Sequence, residues 1–253
     1  MYAEERQRLI VERARAEGRV EVAALADELD VTPETVRRDL SRLERLGQLK
    51  RVHGGAIPLD RLGFEPPVAA RDVAMTAEKE RIAKAALDFV PEEGAILLDA
   101  GTTTARLATV LPADRELTVV TNGLDIATRL ASHLNLTVLM IGGRVRGRTL
   151  ASVDSWAADM LRDLYVDVAF IATNGVSIER GLTTPDTTEA SIKSLMVASA
   201  RRAVLLADHT KVGNDHLVKF ADLDQIDTFV TDSGLDGDFK ADLEAAGLQV
   251  VTA

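Results

Sequence analysis

The chain has 253 residues, 46% of them hydrophobic, which favours a globular protein of two domains. Cysteine is absent, so disulfides and thiolate metal sites are excluded, and no apolar run approaches the roughly 18 residues of a membrane-spanning helix. The net charge of −10 argues against polyanion binding by the molecule as a whole, and the charged start of the chain lacks a secretory signal, so a cytoplasmic protein is expected.

The first 57 residues predict helices followed by a short hairpin. Apolar residues at i, i+3, i+4 and i+7 from Val22 mark one helical stripe. Thr32 and Pro33 supply an N-cap and a first-turn proline for the next helix. Two glycines, Gly54 and Gly55, form the turn of the hairpin. The predicted elements are helices at 4–16, 22–29 and 33–46 and strands at 48–52 and 56–57.

The helix at 33–46 has one apolar face and one basic face. Residues 31–55 hold six basic and three acidic residues, so a positive patch survives in the acidic chain. An arginine-bearing helix followed by a hairpin wing is typical of major-groove readers, and this spacing disfavours the alternative of a solvated charged face. The residues expected to contact DNA are Thr35, Arg37, Arg38, Ser41, Arg42, Arg45, Arg51, His53 and Gly54.

Beyond residue 76 strands and helices alternate, which predicts a mostly parallel sheet covered by helices on both faces. Residues 58–76 contain Pro66-Pro67 and no periodicity, and are interpreted as a linker. The expected domains are a winged helix–turn–helix at 1–57 and an α/β ligand-sensing domain at 77–253. Strands are predicted at 95–99, 117–121, 137–141, 166–172, 203–207, 228–231 and 249–251.

A candidate phosphate loop follows the strand at 95–99. Asp99 ends the strand, and Gly101, Thr102, Thr103 and Thr104 run into a helix start, where backbone N–H groups, hydroxyls and the helix dipole favour an anion. The alternative is a turn that only caps the helix. The loop matches neither a P-loop nor a dinucleotide fingerprint, so no cofactor is expected, and scattered histidines without ligand spacing predict no metal site.

Further polar residues follow other strands of the predicted sheet. Asn122, Arg144, Asn174 and Lys211 each come after a buried strand, where ligand crevices of open α/β sheets lie. Some arginines of the loop at 144–148 are also consistent with plain surface charge. A second segment offers Asp186, Glu189 and Lys193, for which a ligand role and a surface ion pair between residues 189 and 193 both remain open.

Three side chains outside these motifs need a role. His209 lies in the polar turn that contains Lys211, where it serves either the turn or a ligand. Trp156 and Tyr165 are expected to pack at a helix–helix contact.

Three runs resemble DeoR-type bacterial transcriptional regulators: Thr-Pro-Glu-Thr-Val-Arg-Arg-Asp-Leu at 32–40, Leu-Glu and Gly at 43–47, and Arg-Val-His-Gly-Gly-Ala at 51–56. The first six residues, Met-Tyr-Ala-Glu-Glu-Arg, resemble the start of the subgroup associated with fructose-utilisation genes. The resemblance implies a sensor domain related in fold to ribose-5-phosphate isomerase. In it Asp99 and Gly101–Thr104 would form the phosphate loop, and Asp186, Glu189 and Lys193 or Lys211 would be remnants of the acid/base set.

The expected function is a DNA-binding transcriptional regulator, a repressor of carbohydrate-metabolism genes, controlled by a phosphorylated sugar such as fructose 1-phosphate. A homo-oligomer, dimer or tetramer, is expected to bind an operator in double-stranded DNA. The alternative is a sugar-phosphate isomerase-like enzyme with an accessory DNA-binding domain. A metabolic enzyme has no use for an arginine-faced helix and wing, so no catalytic residues are assigned.

Overall fold

The computed structural model describes residues 2–17, 20–52, 54–58, 65–112 and 114–253. The chain forms two compact units, Met1–Ala74 and Met75–Ala253. None of the helices within the described ranges combines the length and apolar content needed to span a bilayer.

The first unit packs three helices against a small antiparallel sheet of strand order β1-β3-β2. Helix α3 starts where the sequence predicts, because the Thr32 hydroxyl accepts a hydrogen bond from the Thr35 N–H (3.2 Å) and Pro33 occupies the first turn. Val36, Leu40 and Leu43 bury its apolar face. The elements are α1 Ala3–Glu17, β1 Val20–Glu21, α2 Val22–Glu28, α3 Pro33–Arg45, β2 Leu49–Val52, β3 Gly55–Pro58 and α4 Val68–Asp72. The last of these lies within the predicted linker.

The second unit is an α/β domain. Its elements are α5 Thr76–Ala86, β4 Glu93–Leu98, α6 Thr102–Val110, β5 Glu116–Thr121, α7 Leu124–Leu130, β6 Leu136–Met140, β7 Arg144–Arg146, β8 Ala151–Val153, α8 Ser155–Arg162, β9 Val166–Ile171, β10 Gly175–Ser177, β11 Gly181–Thr184, α9 Thr187–Ala198, β12 Ala200–Leu206, β13 Val218–Ala221, β14 Thr228–Thr231, α10 Gly237–Ala245 and β15 Gln249–Thr252.

Seven of the strands within the described ranges form one parallel sheet in the order β15-β14-β12-β9-β4-β5-β6. The chain winds outward from β4 to β6 and then returns to β9 on the other side of β4. The switch point of the sheet therefore lies between β4 and β9, and ligands of open α/β sheets bind beyond the carboxyl ends of strands at such a point. The predicted parallel α/β class is confirmed.

Apolar side chains cover both faces of this sheet, as the nearly continuous apolar strands predict. Ile96 and Phe170 pack in the cluster that contains Ile82 of α5 and Leu107 of α6. Leu97 packs on the opposite face, in the cluster that contains Leu161 of α8, Met196 of α9 and Leu243 of α10. The sheet is thus a rigid central layer that fixes where its strand ends lie.

Two small antiparallel elements were not predicted from the sequence. Strands β7 and β8 form a hairpin, and β10, β11 and β13 form a separate sheet. Each strand has only three or four residues, too few for a periodic pattern. The expected packing of Trp156 and Tyr165 is wrong: their side chains are 76% and 72% exposed.

Candidate DNA-binding and effector sites

Helix α3 presents its arginines to solvent on the face opposite its buried side. Arg37, Arg38, Arg42 and Arg45 are exposed, while Thr35 and Ser41 are half-buried at the edge of that face. Helix geometry places these side chains within reach of one surface. The arrangement can contact base edges and phosphates together.

The wing is tied to this helix by two hydrogen bonds from Arg51. Its guanidinium donates to the Ser41 hydroxyl (3.0 Å), and its backbone N–H donates to the Glu44 carboxylate (2.9 Å). Arg51 and Gly54 remain exposed on the hairpin. Predicted contact residue His53 lies outside the described residues.

A buried polar network joins α1 to α3. The Asp39 carboxylate accepts hydrogen bonds from Arg6 Nε (2.6 Å) and from Gln7 Nε2 (2.7 Å), and all three residues are buried. A cleft of about 290 Å³ opens beside this network and is lined by Arg38, Arg42 and other residues of the two helices. The network fixes the rotation of α3 and hence the direction of its arginines.

The second candidate site is centred on the switch point between β4 and β9. Asp99, which directly follows β4, is buried and forms an ion pair with Lys193 of α9. The same carboxylate accepts a hydrogen bond from the Ala172 N–H (3.0 Å), and Lys193 Nζ donates to the Ala172 carbonyl (2.9 Å). This buried ion pair and its hydrogen bonds therefore link the ends of β4 and β9 to helix α9.

The predicted phosphate loop lies at the same place. Gly101 precedes the first turn of α6, and a Cβ added to it would lie 2.7 Å from the Ala172 Cβ, so glycine lets the two strand ends approach. The Thr104 hydroxyl donates to the carbonyls of Asp99 (2.6 Å) and Gly101 (2.9 Å). Thr104 thus closes the turn, whereas Thr102 and Thr103 remain at the helix N-terminus, where an anion is favoured.

Asn122 and Asn174 hold neighbouring backbone and side-chain groups. Asn122 is buried; its Oδ1 accepts from the Ala100 N–H (2.8 Å) and its Nδ2 donates to the Ser152 carbonyl (3.3 Å). Asn174 Oδ1 accepts from the Thr184 hydroxyl (3.0 Å). Asn122 therefore holds the backbone at the start of the predicted phosphate loop in place.

Arg146 contacts the polar residues at the start of α9. Its guanidinium pairs with Glu189 and, through Nη2, with Asp186 Oδ2 (3.1 Å). Asp186 also caps α9 by accepting from the N–H groups of Thr188 (2.9 Å) and Glu189 (3.0 Å). The alternative of a surface ion pair between Glu189 and Lys193 is wrong, because both side chains are buried and each has another partner.

Arg144 is not brought to this cluster. It is exposed and pairs with Asp154 Oδ2 at 2.8 Å. Asp154 follows the paired strand β8, so it holds Arg144 at the far end of the hairpin, while Arg146, opposite Ala151, reaches α9. The structure thus shows that Arg146, and not Arg144, contacts Asp186 and Glu189.

Lys211 lies beside a buried carboxylate. Asp208 is 1% exposed and accepts from the Thr210 N–H (3.1 Å). Burial alone would raise the pKa of Asp208, but the charge of Lys211, the hydrogen bonds from Thr210 and the charge of Lys79 lower it below its usual range. Asp208 is therefore held as an anion next to Lys211.

The pKa values of Asp99 and Asp186 shift in opposite directions. Burial raises the pKa of Asp99 despite the opposing effect of Lys193, and the nearby charge of Glu189 adds to the rise. Partial burial would also raise the pKa of Asp186, but the hydrogen bonds from Thr188 and Glu189 and the charge of Arg146 lower it. The pKa of Asp99 is therefore raised and that of Asp186 is lowered within the same cluster.

Sequence reasoning did not place Asp39 in a site, and it named Arg146 only as one of three loop arginines that add charge. Asp39 interrupts an apolar helix face, and that interruption was the available signal. Arg146 is one of three arginines in the five residues 144–148, and nothing local separates it from Arg144 or Arg148. The contacts of Arg146 with Asp186 and Glu189 depend on the three-dimensional position of α9.

Family models match both units of the chain. The DeoR-like helix-turn-helix domain matches residues 6–61, and the DeoR C terminal sensor domain matches residues 74–233.

Whole-length relatives agree with these matches. The chain is 39% identical over 99% of its length, and 98% of the relative's, to the HTH-type transcriptional regulator GlpR of Haloferax volcanii. It is 34% identical to the regulator FruR of Bacillus subtilis, with 92% of each chain covered. It is 30% identical, over 98% of its length and 93% of the relative's, to a putative aga operon transcriptional repressor of Escherichia coli O157:H7.

Solved structures match part of the chain. Ribose 5 phosphate isomerase A from Neisseria gonorrhoeae has a TM-score of 0.40 and 15% identity, with 53% of this chain and 52% of that chain covered. The eIF2B beta subunit from Chaetomium thermophilum has a TM-score of 0.40 and 11% identity, with 64% and 49% covered. The two family models and the whole-length relatives show that the chain belongs to the DeoR family of helix–turn–helix transcriptional regulators with a C-terminal sensor domain.

Proposed function

We propose that this chain is a cytoplasmic repressor that binds an operator in double-stranded DNA and is controlled by a phosphorylated sugar. It acts as a homo-oligomer, a dimer or tetramer. The observation that carries the proposal is the presence, in one chain, of an arginine-faced recognition helix and a cluster of charged side chains at the switch point of a parallel sheet. Catalysis is no part of this function.

The DNA-binding half of the proposal rests on α3 and its wing. Arginine can pair bidentately with guanine or bind phosphate, and the exposed arginines of α3 stand on a helix whose rotation is fixed by the Asp39 network. The proposed contacts are Thr35, Arg37, Arg38, Ser41, Arg42, Arg45, Arg51, His53 and Gly54. The relative named as a putative aga operon transcriptional repressor supports the same sign of regulation here.

The effector half rests on the groups around Asp99. The N-terminus of α6 offers N–H groups and the hydroxyls of Thr102 and Thr103 to a phosphate. Lys193 and Arg146 provide charged hydrogen-bond donors, and their partners Asp99 and Glu189 provide carboxylate acceptors. Donors and acceptors side by side suit a polyhydroxylated molecule. The proposed ligand contacts are Asp99, Gly101, Thr102, Thr103, Thr104, Arg146, Asn174, Asp186, Glu189, Lys193 and Lys211, with Asn122 holding the start of the loop in place.

The alternative, an isomerase with an accessory DNA-binding domain, receives less support. The whole-length relatives reported above are named as transcriptional regulators. A fold can host unrelated functions, so the shared α/β architecture does not by itself imply catalysis.

A thermal-shift screen tests the effector assignment. The purified chain is heated with fructose 1-phosphate, fructose 6-phosphate and other phosphorylated sugars, and with the unphosphorylated sugars as matched controls. A ligand at about 100 times its dissociation constant adds roughly 2.7 kcal/mol of stability. The hit is then added to the chain bound to a duplex selected from a random library, and release is followed by fluorescence anisotropy.

Three outcomes contradict the proposal. A flat response to every phosphorylated sugar removes the effector assignment. Failure to enrich any duplex removes the DNA-binding assignment. Interconversion of sugar phosphates faster than about 1 s⁻¹, an ordinary enzymatic rate, would favour the enzyme instead.

A further inference from the structure

A histidine lies at the carboxyl end of β12, at the same edge of the parallel sheet as the predicted phosphate loop. His209 comes three residues after that strand, which pairs directly with β9 at the switch point. The segment that follows it is joined to β10 by a bridge between Val176 and Val212, with Gly213 N–H donating to the Val176 carbonyl (2.8 Å). Because β10 begins immediately after Asn174, this segment lies next to the proposed ligand contacts.

The carboxylate of Asp232 holds this histidine in one orientation. Asp232, which directly follows β14, is 1% exposed. Its Oδ2 lies 2.7 Å from His209 Nδ1, and its Oδ1 accepts from the His209 backbone N–H (2.8 Å). The Gly234 N–H donates to Oδ2 as well (3.0 Å). A buried carboxylate thus binds the histidine twice.

The ring also rests closely against the backbone of Gly234. A Cβ at that position would lie 2.4 Å from His209 Nδ1, so any larger residue would displace the ring. Ring and carboxylate are therefore held from two sides. Yet 32% of the histidine side chain remains accessible to solvent.

The geometry assigns a hydrogen-bonding role to the other ring nitrogen. A carboxylate at Nδ1 favours the tautomer with its proton on Nδ1, as a carboxylate hydrogen-bonded to the free nitrogen of a metal-bound histidine does. Nε2 then carries a lone pair in a fixed direction. A hydroxyl group is the chemical partner that such a nitrogen accepts from, and Lys211, two residues further on, provides a positive charge for phosphate nearby.

We propose that His209 is a specificity-determining residue of the effector site, which accepts a hydrogen bond from a sugar hydroxyl through Nε2. Asp232 is its positioning residue. The inference rests on the proposed function, since it requires that a phosphorylated sugar binds. It adds a residue that distinguishes one sugar phosphate from another by the position of a hydroxyl.

Two amide substitutions separate this role from a structural one. In His209→Gln the amide can reach the position of Nε2, whereas in His209→Asn it reaches only the position of Nδ1 and can still bind Asp232. Isothermal titration with the sugar phosphate found in the thermal-shift screen should give a dissociation constant about 10-fold weaker for H209N and within about 3-fold of the parent for H209Q, as expected for one hydrogen bond. His133→Gln, on the turn after α7, is the matched control and should bind like the parent.

Inorganic phosphate is the control ligand in the same titrations. Its affinity should be the same in the parent, H209N and H209Q, because it offers no sugar hydroxyl at this position. In Asp232→Asn the sugar phosphate should bind as weakly as in H209N, and the double variant should be no weaker, since the two residues act through one hydrogen bond. Nitrogen NMR of His209 should show the Nδ1–H tautomer in the parent and its loss in D232N.

The outcomes that overturn the inference differ from those that overturn the proposed function. If the parent binds a sugar phosphate and H209N binds equally well, His209 is not a ligand residue. If H209Q loses affinity and H209N keeps it, the histidine only supports the turn. If the parent binds no phosphorylated sugar at all, the proposed function fails, and the role of His209 fails with it.

Discussion

Arg146 is held in a largely buried position by Glu189 of α9 and by Asp186, which caps that helix, and its side chain is only 14% exposed. Removing it would leave Glu189 buried without its guanidinium partner. We expect Arg146→Ala to lower the free energy of unfolding by about 3 kcal/mol, the usual cost of breaking a buried ion pair. Urea unfolding followed by circular dichroism measures this.

The matched control is Arg144→Ala on the same hairpin. Arg144 is 57% exposed and pairs with Asp154 in solvent, so its loss should change stability by less than about 1 kcal/mol. Equal effects of the two substitutions would show that the pairing with Glu189 contributes little.

Asp208 gives a prediction about pH. Its pKa is lowered in the folded chain, so its contribution to stability is present above the unfolded value, about 3.9, and is lost as the pH falls through the folded value. Asp208→Asn should cost about 1.5–3 kcal/mol at pH 7. Thermal unfolding between pH 7 and pH 3 should show the gap to the parent narrowing below about pH 4.

Asp224→Asn, on an exposed turn, is the control for this series. It should follow the parent at every pH. A gap between parent and D208N that stays constant down to pH 3 would contradict the assignment of the lowered pKa to Asp208.

At the scale of elements, the pairing of α1 with α3 depends on the carboxylate of Asp39. Asp39→Ala would leave Arg6 and Gln7 buried without their acceptor. We expect a loss of about 3 kcal/mol in the stability of the first unit and a weaker affinity for the operator, because α3 is free to rotate. Hydrogen–deuterium exchange should show faster exchange at the amides of α1 and α3.

Glu12→Ala provides the comparison on α1. Glu12 pairs with Arg8 on the exposed face of the helix, so its removal should leave exchange in α3 unchanged. Faster exchange in both variants would indicate general fraying of α1 and not loss of the network.

Elements were predictable where burial imposes a long pattern. Helix α3 has an N-cap threonine, a first-turn proline and an apolar stripe, and it begins where the sequence predicts. The parallel strands are apolar almost throughout because both faces are covered. In contrast, β11 reads Gly-Leu-Thr-Thr, which carries no periodicity, and its strand character depends on pairing with β10 and β13.

The candidate site was predictable only where local geometry defines it. Asp99 and Gly101 could be placed at a strand end from the sequence, because a buried strand followed by glycine and a helix start fixes that turn. The partner of Asp99, Lys193, lies 94 residues away along the chain. Whether it met Glu189 or Asp99 depended on how α9 packs, which no local pattern encodes.

At the scale of the whole molecule, the two proposed sites should be separable by substitution. Thr103→Val removes a hydroxyl at the N-terminus of α6 but keeps the shape of the side chain, so operator affinity should persist while the response to sugar phosphate is lost. Arg38→Ala should weaken operator binding by roughly 1–3 kcal/mol and leave sugar-phosphate affinity unchanged. Anisotropy titrations with and without sugar phosphate measure both effects.

Thermodynamic linkage provides the check on these two variants. In the parent, operator DNA must change the affinity for sugar phosphate by the same factor by which sugar phosphate changes the affinity for DNA. If both affinities fall together in either variant, damage to folding is the better explanation.

The exposed position of Trp156 makes the molecule its own spectroscopic probe. The chain contains one tryptophan, and its indole stands on the open face of α8 beside Met160, which is 44% exposed. Intrinsic tryptophan fluorescence therefore reports on the environment of α8 alone. If the proposed oligomer forms through α8, emission should shift to the blue as protein concentration rises, and if copies meet elsewhere, the spectrum should stay that of an indole in water.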